Sequence, residues 1–380
     1  MELAFHSYYG SLAIGSPPAL FDVAIDTGSS DLWVVGPWCG KVCDGLDTFD
    51  PLSSTTFHNL SLPFSVACFL GSASGYVAED VVEMAGFSVR GQAFAVIDEI
   101  SQDFLISPTS GRLGLGWRSD AASNHTPFAQ NLVSSGALDS PLFSIQLARY
   151  SNISNAEKLE PGGVLTLGYI DTDLYTGPIE YIDVSGGSLR WELPLESISM
   201  QGSSLQLSAS SVAIIDTGIP YIVGPASVVR SIYGQIPGSS LAGGDFEGFY
   251  QYPCSTRVNM SFSFGGSMWS VNPADFYFGQ VNSSVCIGAL IDGSDSSTWI
   301  LGDAFLKSVY SVFRYDPPSV GFASLSEAAL ADNGAGDPVP TPTMASDPTE
   351  VTVVDAATLG LGLSPFFAAT AVIASVVWLL

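Results

Sequence analysis

Basic residues are scarce: 11 Lys and Arg stand against 37 Asp and Glu, for a formal net charge of −26 at pH 7. A chain this poor in cations has no basic face for a phosphate backbone or an anionic headgroup, which excludes nucleic acid as a partner and lipid binding by charge. Charge of either sign is thin, 13% of residues against roughly 25% in an average domain. Histidine is limited to His6, His58 and His125, so imidazole metal sites and Ser–His or Cys–His catalysis are poorly supplied. There is no H-E-x-x-H, no G-x-S-x-G and no G-x-x-x-x-G-K, the signatures of zinc proteases, nucleophile-elbow hydrolases and phosphate loops. No metal and no cofactor is expected.

What remains is apolar and aromatic. The 380 residues are 47% hydrophobic, with 22 Phe, 14 Tyr and 7 Trp, too many rings for disorder and enough length for two lobes. Such an acidic chain approaches neutrality at about pH 4, where its carboxylates protonate. An acidic working environment is one reading of this; solubility through surface charge is the other.

Five N-x-S/T sequons, at Asn59, Asn124, Asn152, Asn259 and Asn282, suggest the secretory route. The five cysteines are Cys39, Cys43, Cys68, Cys254 and Cys286. Two disulfides with Cys68 left over is the simplest arithmetic, although spacing does not fix the pairing; a structural zinc is the competing reading. Met1–Gly10 has no basic region followed by an apolar run, so the chain is expected to be a fragment of a longer precursor. Residues 327–355, rich in Ala, Asp, Pro and Thr, read as a flexible stalk. Residues 356–380 are apolar and end the sequence without a cationic flank. They read as a GPI-attachment signal, with a transmembrane helix as the alternative, so that the membrane is met only through this tail.

Between Ser7 and Phe322, short apolar stretches are broken by Gly, Pro, Ser and Asn, as at Phe21–Ile25, Phe64–Ala67, Val164–Leu167, Ile179–Val184 and Val309–Phe313. Helical windows are few: Phe128–Ser135, Ser227–Tyr233 and Asp303–Lys307. The expected class is all-β. A weak internal repeat supports two similar lobes. Ala24-Ile25-Asp26-Thr27-Gly28 recurs as Ile214-Ile215-Asp216-Thr217-Gly218, and an apolar-Gly segment follows each, 87 residues on at Leu113-Gly114 and 84 residues on at Ile300-Leu301-Gly302. The lobes are expected at residues 1–175 and 176–326.

Each Asp ends an apolar strand; the following Thr can tie a loop to backbone, and Gly permits close approach. If the lobes face each other, the carboxyls of Asp26 and Asp216 meet and share one proton. The ionised member can then take a proton from water while the protonated member polarises a carbonyl, which is acid–base hydrolysis of an amide without a covalent intermediate. A single Asp-Thr-Gly is ordinary turn chemistry; two, each with its matched apolar-Gly partner, are specific.

Over residues 7–325 the chain resembles the pepsin-like aspartic proteases, in their fungal secreted or surface-held form. The resemblance lies in Asp26-Thr27-Gly28-Ser29-Ser30-Asp31-Leu32-Trp33-Val34, in Gly163–Asp171, and in Trp299–Leu306 followed by Tyr310–Phe313 and Val320–Ala323. It implies a bilobal β fold with a deep cleft and Asp26 and Asp216 as catalytic pair, supported by Thr27, Gly28, Ser29, Thr217 and Gly218. It also implies disulfides Cys39–Cys43 and Cys254–Cys286, a flap at about residues 64–80, and a monomeric, acid-active endopeptidase favouring hydrophobic residues at the cut bond of peptides or proteins.

Three departures bear on activity. The flap segment aligns Cys68 with the family's tyrosine and Phe69 with its glycine, ahead of Gly71 and Ser72. The family's tyrosine hydroxyl bonds the tryptophan matched by Trp33. The reading adopted for Cys68 is a buried, inert thiol; an exposed reactive one is the alternative. Ile219-Pro220 follows Gly218 where the family has Ser or Thr, removing a hydroxyl from the outer oxygen of Asp216. Arg112 precedes Leu113-Gly114 where the family has an apolar residue, and is read as a solvated charge. A catalytically weak member that binds peptide is the competing function, and a cell-wall or adhesion role carries least support.

Overall fold

Alternating apolar and small polar residues favour pleated strands over helices, and strands dominate the computed structural model. It describes residues 6–377 apart from 69–70, 103, 151–158, 189, 206, 294–296, 332–341, 343 and 354–368, and describes no side chains beyond residue 353. The expected helices are present and short: Phe128–Ser134, Ala226–Tyr233 and Asp303–Leu306.

The internal repeat becomes a shared strand order. In the first lobe Ala19–Asp26 pairs in parallel with Gly111–Gly114, which pairs antiparallel with Leu32–Val35, itself parallel to Phe87–Ile100. In the second, Val212–Ile215 pairs in parallel with Thr298–Leu301, which pairs antiparallel with Ile222–Gly224, itself parallel to Leu290–Asp292. Each lobe thus threads the apolar-Gly strand between the strand leading into Asp-Thr-Gly and the strand leaving it. The glycines make this possible: a Cβ on Gly114 would meet the Ser30 carbonyl carbon at 2.4 Å, and one on Gly302 the Ile219 oxygen at 2.2 Å.

Strands Tyr175–Asp183, Pro318–Leu325, Tyr310–Tyr315, Leu142–Leu147 and Leu159–Leu167 form a sheet drawn from both halves of the chain. The lobe boundary placed between residues 175 and 176 therefore falls at the head of a strand. Trp117, Phe143, Trp191, Phe313 and Tyr315 pack behind that sheet, with Phe143 and Phe313 stacked at 4.7 Å. Fully burying one such ring contributes about 1.5–3 kcal/mol. Tyr315 and Trp191 both donate to the carbonyl of Leu115, at 2.8 and 3.1 Å, so this core fixes the chain just past Gly114.

Two segments depart from expectation. The stretch read as a wholly flexible stalk contains a helix, Glu327–Ala331, and a strand, Thr349–Thr352, parallel to the start of Phe87–Ile100, with Val351 buried and Arg90 paired to Glu350. The β-branched alternation of Thr349-Glu350-Val351-Thr352 suits a strand, which composition alone hides. The tail read as an attachment signal lies partly outside the described residues. Its Ala369–Val377 portion is a strand between His6–Ile14 and Leu159–Leu167. Among the described residues, no helix is long and apolar enough to cross a membrane.

Candidate active site

The two Asp-Thr-Gly loops meet between the lobes through a reciprocal lock. The Thr27 hydroxyl donates to the Ile215 carbonyl at 2.8 Å and accepts the Thr217 N–H at 3.0 Å; the Thr217 hydroxyl donates to the Ile25 carbonyl at 2.8 Å and accepts the Thr27 N–H at 3.0 Å. All four bonds are buried, where a lost partner costs most. Gly28 and Gly218 then let the carboxyls approach: a Cβ on Gly28 would lie 2.2 Å from Asp216 Cγ, and one on Gly218 2.4 Å from Asp26 Oδ1. The two carboxyls are thereby brought close enough for the charge of one to act on the other.

Their surroundings differ. Asp26 is buried; its Oδ1 accepts the Gly28 N–H at 2.8 Å, and its Oδ2 accepts the Ser29 hydroxyl at 2.6 Å and Arg112 Nη1 at 2.6 Å. Asp216 is half-buried and accepts the Gly218 N–H at 2.7 Å. Ile219 offers no hydroxyl, so the Ser29 contact has no counterpart. Burial alone would push Asp26 up, but the Arg112 charge, the Ser29 hydroxyl and the Gly28 N–H hold its carboxyl below the ordinary aspartate value. Burial and then the Asp26 charge push Asp216 up to about 7, against the Gly218 N–H and Arg112. Two neighbouring carboxyls with pKa values driven apart are an acid and a base in waiting.

Arg112 is the main correction to the sequence reading. It is no solvated charge: its side chain is 12% exposed, pairs with Asp26, and lies over the Phe104 ring at 5.2 Å. Phe104 in turn stacks on Trp33 at 5.8 Å. Strand parity held the clue. Register sets Arg112 opposite Ala24, two residues before Asp26, so both side chains emerge on one face of the sheet. Asp303, which the sequence marks only as part of Trp299–Leu306, is a second functional candidate. It is buried at the helix start beside the pair; burial raises its carboxyl well above the usual range, the charges of Asp216 and Asp26 add to this, and Lys307 opposes them.

The flap is a hairpin of His58–Cys68 and Gly71–Met84 that brings Cys68 opposite Gly71. Phe69, aligned with the family's glycine, lies outside the described residues. Cys68 is exposed, which corrects the buried reading: it ends its strand at the last pair of the ladder, where no further pair of the hairpin covers it among the described residues. The hairpin is tied near its outer end, where the Ser72 N–H meets the Ser101 hydroxyl and the Ser101 N–H meets the Ser72 carbonyl, each at 2.8 Å. A cavity beside the pair is lined by Phe104, Leu105, Ile106, Arg112, Ile219 and Tyr221, among others.

Disulfides join Cys39 to Cys43 and Cys254 to Cys286. Asn59, Asn124, Asn259 and Asn282 are exposed; Asn152 lies outside the described residues. Among the described residues no three His, Cys, Asp or Glu side chains are grouped to hold a metal ion.

Two β lobes of matching strand order, joined by a threonine lock and presenting one aspartate each to a shared cleft, define a bilobal aspartic hydrolase. Residues 7–325 match the family described as eukaryotic aspartyl protease, and the chain belongs to that family. It is 40% identical over 335 residues to major aspartyl peptidase 1 of Cryptococcus neoformans var. grubii serotype A, covering 84% of this chain and 68% of that protein. It is 37% identical over 321 residues to an aspartic protease of Phaffia rhodozyma (83% and 75% covered) and 32% identical over 326 residues to pepsin A of Sus scrofa (84% and 81%).

Proposed function

We propose that the chain is an acid-active, extracellular endopeptidase in which Asp26 and Asp216 hydrolyse peptide bonds through an activated water. The observation that carries this is the unequal pair: one carboxyl accepts three donors, which favours its ionised form, while the other lacks a hydroxyl partner and is pushed up to about 7, which suits it to hold the shared proton. The Asp26 carboxylate takes a proton from water as the water oxygen bonds to the carbonyl carbon. Asp216 gives its proton to the carbonyl oxygen, forming a gem-diol. That proton returns to Asp216 as the gem-diol collapses, Asp26 passes its proton to the amide nitrogen, and the C–N bond breaks to acid and amine. Thr27 and Thr217 keep the loops in register; Ser29, Gly28 and Gly218 orient the carboxyls.

Phe104, Leu105, Ile106, Ile219 and Tyr221 along the cavity support a preference for hydrophobic residues at the cut bond. Secretion is supported by the two disulfides and the four exposed sequons, and surface attachment by the apolar tail alone.

The test is cleavage of an internally quenched peptide with a central Phe-Phe bond, from about pH 2.5 to about 6.5, by the chain expressed behind a secretion signal and a basic propeptide. Asp26→Asn and the transition-state analogue pepstatin should each abolish cleavage. A folded protein that leaves the peptide intact at every pH would overturn this reading in favour of a peptide-binding member of the family.

A further inference from the structure

We infer that Arg112 is a positioning residue that fixes which aspartate is the base and sets the acidic edge of the working range. The inference rests on the two-aspartate reading above and adds a third group to it.

The geometry is specific. Arg112 Nη1 reaches Asp26 Oδ2 at 2.6 Å, the oxygen that already accepts Ser29. The guanidinium cannot swing freely, because its carbon lies 5.2 Å from the Phe104 ring centre and its strand is clamped between Ala19–Asp26 and Leu32–Val35. Its Nε is buried and has no hydrogen-bond partner among the described residues. Desolvating a cation and leaving one donor unpaired costs several kcal/mol unless a strong pair offsets it. Asp26 is the only carboxylate bonded to Arg112 among the described residues.

The groups facing this pair come from four other places. Asp216 faces Asp26 from the opposite loop, and Cys68, at the end of its flap strand, is near Arg112. Asp303 sits behind the pair, and Lys307 and Asp275 lie beyond it, 3.4 Å apart. Lys307 and Arg149 are both committed to Asp275. Arg112 is therefore the cation that acts directly on the pair. With it, Asp26 stays ionised in acid and the proton goes to Asp216. Without it, the remaining negative groups and burial raise both carboxyls, and Asp26, losing a hydrogen bond as well as a charge, moves further.

The sign follows. Catalysis needs one proton on the pair, so activity falls at low pH as Asp26 protonates and at high pH as Asp216 ionises. Arg112→Leu should move the acid limb of kcat/KM up by about one pH unit or more, and the alkaline limb up by less. At pH below that limb the variant should lose about tenfold or more relative to wild type. Arg112→Lys keeps the charge and should recover most of the acid limb. An acid limb that stays within about 0.3 units in Arg112→Leu, measured against the ~1-unit shift expected from losing a paired charge, would overturn the inference.

A structural role alone would lower kcat/KM at every pH without moving the limb. If wild type is folded but cleaves nothing, the carboxyl carbon-13 titration of Asp26, assigned with Asp26→Asn, gives the same answer independently. The Asp26 midpoint should rise in Arg112→Leu and not in Arg112→Lys, and equal midpoints in all three proteins would refute the role. If Arg112→Leu does not fold, Arg112→Gln, which keeps donors but not charge, should give the Leu result; a limb or midpoint equal to wild type in that variant would likewise sink the proposal.

Discussion

Ile219 changes the chemistry of Asp216 by what it withholds. Ser29 gives Asp26 a hydroxyl at 2.6 Å, while among the described residues the donor to Asp216 is the Gly218 N–H at 2.7 Å. A hydrogen bond to the ionised form of a carboxyl favours that form. Ile219→Thr should therefore lower the Asp216 pKa from its value of about 7, and the alkaline limb of kcat/KM should move down by about one pH unit. The acid limb should barely move, since Asp26 keeps its three donors. Stopped assays across the profile separate the two limbs, and an unmoved alkaline limb would mean that the Thr hydroxyl turns elsewhere. The pair Ile219 and Arg112 thus acts on opposite edges of the pH range: one raises the proton holder, the other lowers the base.

At the scale of elements, the threonine lock joins two loops that sequence places 190 residues apart. Thr217→Val keeps shape but removes a hydroxyl, leaving the Thr27 N–H and the Ile25 carbonyl without their bonds. Each buried group left unpaired costs about 1–3 kcal/mol, so urea unfolding should show a loss of that order or somewhat more, whereas Thr217→Ser should lose little. A Val variant as stable as wild type would place the join between the lobes in the interlobe sheet rather than in the lock. The lock was legible in advance only as a pair of tripeptides: identical Asp-Thr-Gly runs after apolar strands imply a repeat, and each repeat's apolar-Gly partner implies the threaded strand. What the repeat could not reveal was non-local register. Arg112 reads as a surface charge until its strand is laid against Ala19–Asp26, and Cys68 reads as a small core residue until its strand is paired to end opposite Gly71. Thr349–Thr352 is hidden for the same reason, since its composition resembles a linker and only its partner strand makes it structure.

For the whole molecule, proton linkage and net charge act in the same direction. Asp216 and Asp303 are raised above their unfolded values, Asp216 to about 7 and Asp303 well above the usual range. Between about pH 4 and those values the native state holds protons that the unfolded chain has released. Stability must then fall as pH rises through that window, the reverse of the usual behaviour of paired carboxylates. Asp26 works the other way: its ion pair with Arg112 contributes above about pH 4 and is lost as pH falls further. The net charge of −26 at pH 7 adds self-repulsion that fades near about pH 4. The expected optimum of stability is therefore near pH 4, and the thermal midpoint at about pH 7.5 should lie at least about 3 °C below it. Asp216→Asn, which stays neutral at every pH, should narrow that gap by stabilising the protein mainly on the neutral side. Added salt should narrow it too, but only by the part due to surface repulsion, because the buried pair is poorly screened. A thermal midpoint that climbs from pH 4 to 7.5 would show that Asp216 and Asp303 are ionised throughout, and the assignment of the shared proton to Asp216 would fall with it.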